Sequence, residues 1–410
     1  MSIMVKKFGG SSVANIERIE VVAEKIFQFY QKKQQVVVVV SAMQGETDKL
    51  ESLAYQITPD PDSREMAALL ATGEQLTISL LCIALIKRGC PARSYTGLQL
   101  GIQTDGAGFN KSRVKNIDPN KIYQDLQAGM VVVVAGFQGV DIEGNITTLG
   151  RGGSDTTAVA LAAVLQAKEC HIYTDVDGVY TADPNIEPNA KKLDSIDFSE
   201  MLELSGLGAK VMQIRAIELG GYYNMPIRVL SSFNQKDNAG TLIAECKNNL
   251  DYQQVAKIAT LRKQIKIFVQ KIEHKNILLI LKNLADSHIE FDMLTNHDNV
   301  LSFTISSKYL DQCKSIVNGL IGQKDIANYI QVAKLSLVGL GLNSNPELIA
   351  KVYSSLYQED IVIQQVITSE IKVSILLNET DLELAIKILH KAFSLMPMDS
   401  FIKEEELGRN

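Results

Sequence analysis

Residues Val36 to Val40 are an unbroken run of valine. A strand turns alternate side chains to opposite faces, so a continuous apolar run needs cover on both sides of its sheet. Strand-length apolar runs recur at Val36–Ser41, Met130–Ala135, His171–Thr174 and Ile227–Leu230. Between them the apolar residues fall at helical spacing. Ile16, Ile19, Val22, Ala23, Ile26 and Phe27 mark a helix within Ala14–Tyr30, and Ser63–Arg88 and Asp155–Ala167 read the same way. Thr147-Thr148 behind Ile142-Glu143-Gly144-Asn145 predicts a small hairpin. This alternation predicts an α/β class: a three-layer αβα sandwich with a mainly parallel sheet.

The pattern changes after residue 232. Asn234–Asp251 is rich in Asn, Asp, Gly and Lys and reads as a linker. Then Lys266–Val269 alternates, a helix follows over Asn276–Ala285, then strands at Glu290–Leu294 and Val300–Ile305 and a helix at Leu310–Leu320. The order returns about 70 residues later, as internal repeats do. Lys334–Val338 is a strand, Pro346–Tyr357 a helix, Ile361–Ile367 and Lys372–Leu377 strands, and Leu382–Phe393 a helix. The expected organisation is a first domain over 1–232, a linker over 233–260, and two βαββαβ repeats over 261–332 and 333–402, with strands free to interleave between them.

The 410 residues carry 41 basic and 47 acidic side chains, a net charge of −6, with no basic run. That argues against a nucleic-acid surface. The five cysteines lie far apart without a C-x-x-C pair, so reduced thiols are expected rather than a disulfide scaffold or zinc site. No signal-peptide apolar region opens the chain, and Leu76–Ile86 is too short to span a bilayer. A cytoplasmic protein with no membrane partner is expected.

Three stretches carry chemistry. Lys7-Phe8-Gly9-Gly10-Ser11-Ser12 places a lysine at a Gly-Gly turn between strand and helix, where backbone N–H groups approach an anion closely. It is not a P-loop, which needs G-x-x-x-x-G-K-[ST]. Thr147–Thr157 holds Gly150, Gly152 and Gly153 around Arg151, then Ser154 and Asp155 at a helix start. The surplus glycine suggests a ligand close to backbone, and Arg151 suits a carboxylate. Thr174–Pro184 leaves the end of an apolar strand and carries Asp175, Asp177 and Asp183. EF-hand spacing fails there, so a nucleotide loop is favoured, with a carboxylate reaching Mg²⁺ as an open alternative. Glu74 breaks an apolar helical face. It is either buried against a cationic ligand group or placed on the helix's polar side.

Seven stretches taken together resemble the aspartokinases of the amino-acid kinase superfamily. They are KFGGSS at Lys7–Ser12, VSAMQGETDKL at Val40–Leu50, TGEQ at Thr72–Gln75, VAGFQG at Val134–Gly139, TTLGRGGSDTTAVAL at Thr147–Leu161, IYTDVDGVYTADP at Ile172–Pro184 and MLELSGLGAK at Met201–Lys210. Thr368–Ser374 is similar to the signature of the second of two ACT domains. The resemblance implies phosphorylation of L-aspartate by ATP with Mg²⁺, the first step toward lysine, threonine and methionine. It implies ATP contacts from Lys7, Phe8, Gly9, Gly10, Ser41, Thr174, Asp175, Tyr180, Asp183 and Lys210. Aspartate would be held by Thr47, Glu74, Arg151, Gly152, Gly153 and Ser154, with Lys7 and Asp155 at the chemistry and no fixed protein ligand to the metal. A homodimer through the ACT pair and an amino-acid effector are implied as well.

The reaction asks little proton chemistry. Aspartate's side chain, with an ordinary pKa of about 3.9, is already a nucleophile at neutral pH. What it needs is neutralised charge and in-line placement of two anions. Two rivals remain: a non-catalytic regulatory paralogue, and a sister kinase acting on glutamate, acetylglutamate or carbamate. Intact Lys7, Glu74, Arg151 and Asp155 weigh against the first, and the ACT tandem against the second. The chain departs from the family at Gln213-Ile214-Arg215, where His-Pro-Arg is usual, and at Asn185, where arginine is common. In the repeats, Asn276 and Glu347 stand near helix starts that usually carry glycine, so feedback inhibition by lysine or threonine is expected to be weak or altered.

Overall fold

The structure is a computed structural model that describes residues 2–106, 111–206, 211–234, 239–245, 257–321, 326–339, 342, 346–369, 371–393 and 395. The chain divides into two compact units. The first draws on Met1–Val179, Lys192–Gly206 and Lys210–Asn249, and the second on Tyr180–Lys191, Leu207–Ala209 and Leu250–Asn410.

In the first unit an eight-stranded sheet runs Ser195–Ile196, Thr241–Ile243, Ile227–Ser231, Cys170–Thr174, Ile3–Phe8, Gln35–Val40, Val131–Ala135, Ala92–Tyr95. The six strands from Ile227–Ser231 to Ala92–Tyr95 are mutually parallel. Val36 to Val40 are at most 1% exposed, as their continuous apolar text requires. The helix Ile16–Gln31 starts where Asn15 accepts a hydrogen bond from Arg18 N at 2.9 Å, and it buries Ile19, Val22, Ala23 and Ile26. The loops that follow Phe8, Val40, Ala135, Thr174 and Ser231 all leave the C-terminal ends of parallel strands, where open α/β sheets bind ligands. The expected hairpin is present as Gln138–Val140 against Ile146–Thr148, in a separate four-stranded sheet.

Three local expectations change. The helix expected over Ser63–Arg88 is interrupted at Ala71, giving Ser63–Leu70 and Thr72–Lys87. The Ala71 carbonyl accepts a 2.9 Å bond from the Gln138 side chain, and Thr72 Oγ1 turns back to Leu69 O at 2.7 Å. The stretch Ser63–Lys87 has the length and composition to cross a membrane, yet 56% of its most apolar window is buried inside the protein, as in a core helix. The helix expected over Asp155–Ala167 runs instead over Gly153–Val164. The stretch read as a linker contains the strand Thr241–Ile243, which pairs with Ile227–Ser231.

The second unit holds a six-stranded antiparallel sheet in the order Phe291–His297, Val300–Ser306, Lys257–Gln270, Ile326–Val338, Lys372–Leu377, Gln365–Thr368. The long central strands pair along their length and give the two repeats one sheet. Each repeat keeps its own core. Ile267, Ile280, Phe303 and Val317 belong to one, and Leu335, Val352, Ile375 and Leu389 to the other. The strand expected from Ile361 begins only at Gln365.

Candidate active site

Ile3–Phe8 delivers the central cation. Lys7 is 8% exposed, and its Nζ pairs with Asp155 Oδ1 at 2.6 Å. Asp155 lies in the first turn of Gly153–Val164, where the helix dipole favours a carboxylate. The Lys7 amine lies over the Gly-Gly turn, since a Cβ on Gly9 would stand 3.3 Å from Nζ. Gly9 N donates to Tyr173 O at 3.2 Å and Ser41 N to Phe8 O at 3.1 Å, so three neighbouring strand ends are tied together beside the lysine. The Phe8 ring is fully buried and stacked 4.6 Å from Tyr173, which leaves Phe8 only its backbone for a ligand.

Glu74 is buried at 3% exposure, not set on a polar face. Its Oε1 accepts a 3.0 Å bond from Ala42 N, the residue after Ser41. Its Oε2 is buried without a hydrogen-bond partner among the described residues. Burial pushes its carboxyl up to about 8. A half-satisfied carboxylate in an apolar wall is a receptor for a cation.

The glycine-rich turn sits on the same sheet end. Gly153 N bonds Gly150 O at 2.9 Å and Asp155 N bonds Gly152 O at 3.0 Å. Gly152 has φ 69°, and a Cβ there would overlap the Gln213 side chain. Gln213 is thus the residue that closes this turn from outside. It was visible in the sequence as a departure from the family text, but its contact with a glycine 61 positions earlier was not. Ser154 is buried, Thr47 and Ser41 are half-buried, and Arg151 is exposed without an ion pair or hydrogen bond among the described residues.

Among the residues expected to contact the nucleotide, Thr174 Oγ1 donates to Asp175 Oδ1 at 3.0 Å, and Thr174 O accepts from Ser232 N at 2.9 Å. Asp175 is exposed at the end of Cys170–Thr174. Tyr180 and Asp183 belong to the second unit, where Asp183 Oδ1 accepts from Asn185 N and Nδ2 in an exposed turn. Lys210 lies outside the described residues. The structure therefore gathers Lys7, Gly9 and Asp155 in contact and sets Glu74 against the backbone beside Ser41. Ser2, Met4, Gln34, Lys168, Glu169, His171 and Arg228 line a separate cavity of about 310 Å³ that none of the motif residues enters.

A sequence profile described as the amino acid kinase family matches residues 2–231, and one described as an ACT domain matches 335–393. An aspartate kinase of Pseudomonas putida is 48% identical over 406 residues, covering 96% of this chain and 98% of its own length. Aspartokinase 2 of Bacillus subtilis is 42% identical over 405 residues, with 96% and 98% covered. Among solved structures, E. coli aspartokinase III in complex with aspartate and ADP superposes with a TM-score of 0.77 at 23% identity, over 95% of this chain and 99% of that one. At that identity it shows a shared fold. The aspartate kinase from Synechocystis, 36% identical, superposes with a TM-score of 0.54 over 96% of this chain and 70% of that one.

Proposed function

The chain belongs to the aspartate kinase family and phosphorylates L-aspartate with ATP, and from that premise we propose how its residues divide the reaction. The observation that carries the reading is the pairing of Lys7 with Asp155 beside a buried, half-satisfied Glu74. Lys7 neutralises charge on the phosphoryl group as it moves, with Gly9 and Gly10 N–H groups and Ser41 alongside. Asp155 holds the Lys7 amine in place and lies next to the reacting atoms. Glu74 takes the α-ammonium of aspartate, and Arg151 its α-carboxylate, with Thr47, Gly152, Gly153 and Ser154 around them. Thr174, Asp175, Tyr180, Asp183 and Lys210 serve the nucleotide.

Among the described residues no three His, Cys, Asp or Glu side chains converge to form a metal cage. Single carboxylates such as Asp155 and Asp175 fit Mg²⁺ arriving on the triphosphate, since that ion keeps several waters and few protein ligands. When bound, it would neutralise phosphate charge. The reaction is read as cytoplasmic. Cys82, Cys90, Cys170 and Cys313 are buried free thiols, in keeping with a reducing compartment. Dimerisation through the repeats is favoured by the edge strands Phe291–His297 and Gln365–Thr368, which end the six-stranded sheet unpaired.

A hydroxamate assay with ATP and aspartate, glutamate or acetylglutamate tests the whole reading. Product is expected with aspartate alone. Product with another acceptor, or none at all, would move the chain to one of the two rivals. Initial rates against lysine, threonine and both test the regulatory reading, and half-inhibition at sub-millimolar effector would overturn it.

A further inference from the structure

Tyr180–Lys191 carries two of the residues assigned to the nucleotide, yet it is built into the second unit. Thr181 N donates to Lys191 O at 2.9 Å and closes the segment on itself. Ile258 N, on the central strand Lys257–Gln270, donates to Thr181 O at 2.8 Å. Ala182 joins the core of Leu335, Leu348 and Leu389, and Ile186 and Ala190 pack against it. A side-chain pair adds a further tie. His390, on Leu382–Ala392, is fully buried, and its Nε2 lies 3.1 Å from Thr181 Oγ1.

Thr181 Oγ1 and His390 Nε2 can pair with either as the donor. Thr181 Oγ1 also accepts from Lys191 N at 2.9 Å, which leaves it one proton and one further lone pair to offer the ring. Burial holds His390 below the ordinary imidazole range and keeps the ring neutral, with one nitrogen a donor and the other an acceptor, so Nε2 pairs with Thr181 Oγ1 in either tautomer. The other ring nitrogen, Nδ1, is buried without a hydrogen-bond partner among the described residues. A buried unsatisfied nitrogen costs stability, and an apolar side chain would fill the same helix position without that cost. The Thr181 contact is what the histidine supplies and an apolar residue would not.

We propose that His390 is a positioning residue for ATP: through Thr181 it fixes the segment that presents Tyr180 and Asp183. The inference rests on the nucleotide assignment of those two residues. Tyr180 adjoins Thr181 and Asp183 follows it by two positions, so rotation at Thr181 moves both.

The test uses the full-length enzyme and the variants His390→Asn, His390→Gln, Thr181→Val and Tyr180→Ala. KM for ATP, KM for aspartate and kcat are measured, with ADP affinity by titration calorimetry. Glutamine carries its amide to about the Nε2 position, and asparagine stops at about Nδ1. His390→Asn and Thr181→Val are expected to raise the ATP KM and weaken ADP about fivefold, the scale of one neutral hydrogen bond, with aspartate KM and kcat within about twofold. His390→Gln is expected to restore native values. An unchanged ATP KM in both His390→Asn and Thr181→Val overturns the proposal. So does an equal rise in aspartate KM, which marks general loosening. Tyr180→Ala separates the premise: an unchanged ATP KM there overturns the nucleotide assignment, whereas a raised one beside a silent His390→Asn overturns the positioning role alone.

Discussion

Lys6 and Lys7 are consecutive on Ile3–Phe8 and are 1% and 8% exposed, but strand alternation turns them to opposite faces of the large sheet. Lys6 Nζ lies 3.1 Å from His171 Nδ1 and 3.7 Å from the centre of the Phe29 ring. His171 Nε2 lies 3.1 Å from Glu169, and Arg228 closes the chain on both Glu169 oxygens at 2.9 and 3.1 Å. Burial pulls the His171 pKa down to about 4, so the ring is neutral, accepts from Lys6 and donates to Glu169. Among the described residues Lys7 has one carboxylate partner, Asp155, and Glu74 has an oxygen left over. The difference teaches that burying a charge is not what marks a site. The Lys6 chain ends on a carboxylate held at both oxygens, while Glu74 keeps one buried oxygen without a hydrogen-bond partner among the described residues.

The strongest way to break this contrast is to remove each amine. Lys7→Ala should lower kcat by about a hundredfold to a thousandfold, the scale of losing a preorganised donor, with aspartate KM little changed. Lys6→Met should leave kcat within about twofold and lower unfolding stability by about 1–3 kcal/mol, because His171 loses its donor. Steady-state rates and urea titrations on both variants decide it. Equal losses of turnover would erase the distinction.

Glu74 sharpens it next. Glu74→Gln should raise the aspartate KM by about thirtyfold, as expected when a desolvated charge pair loses one member. Because the free carboxyl sits near 8, binding the ammonium should drive off a proton at neutral pH. Calorimetry in buffers of different ionisation enthalpy would detect that release, and the glutamine variant should abolish it. No proton change in the native enzyme would remove Glu74 from the ammonium.

A smaller effect is expected at Arg151. Arg151→Lys should raise the aspartate KM about fivefold to tenfold and leave the ATP KM nearly unchanged, since lysine keeps charge but loses the planar fork. A rise in ATP KM instead would move Arg151 to the nucleotide.

The two faces should also separate by pH. Glu74 titrates near 8 in the fold against an ordinary 4.5, so the folded state holds the extra proton and stability is lost as pH rises through that window. His171 titrates near 4 against an ordinary 6.5, so the unfolded state holds the extra proton and stability is lost as pH falls through its own window. Thermal unfolding of the ligand-free protein should show a decline above about pH 6.5 that Glu74→Gln removes, and a decline in acid that it does not. A native profile flat to about pH 9 would contradict the burial of an unpaired Glu74 oxygen.

Much of this was legible from the chain because the signals were local. Val36 to Val40 announced a strand covered on both faces, and the strand, Gly-Gly turn and helix around Lys7 could be placed from neighbouring residues, whereas Glu74 stood between a buried and a polar-face placement until the fold buried it. The misses share a different cause. Ala71 interrupts its helix because the Gln138 amide reaches it from 67 positions away. Thr241–Ile243 is a strand because Ile227–Ser231 offers an edge, although Asn, Asp and Gly surround it in sequence. Tyr180–Lys191 packs with residues from beyond 330, which no feature of its own text declares. Periodicity and turn chemistry report what a segment prefers; they do not report which distant partner it meets.

The alternation on Ile3–Phe8 also makes the gene fragile in a particular way. Loss of one residue between the strand's start and Lys6 would carry Lys7 into the place of Lys6, toward the His171 network, and bring Phe8 to the position that faces Asp155. The residue lost would be apolar, so both lysines and the charge of the chain would be kept. Spacing from the strand's start, rather than the identity of any one side chain, is what inheritance must protect there.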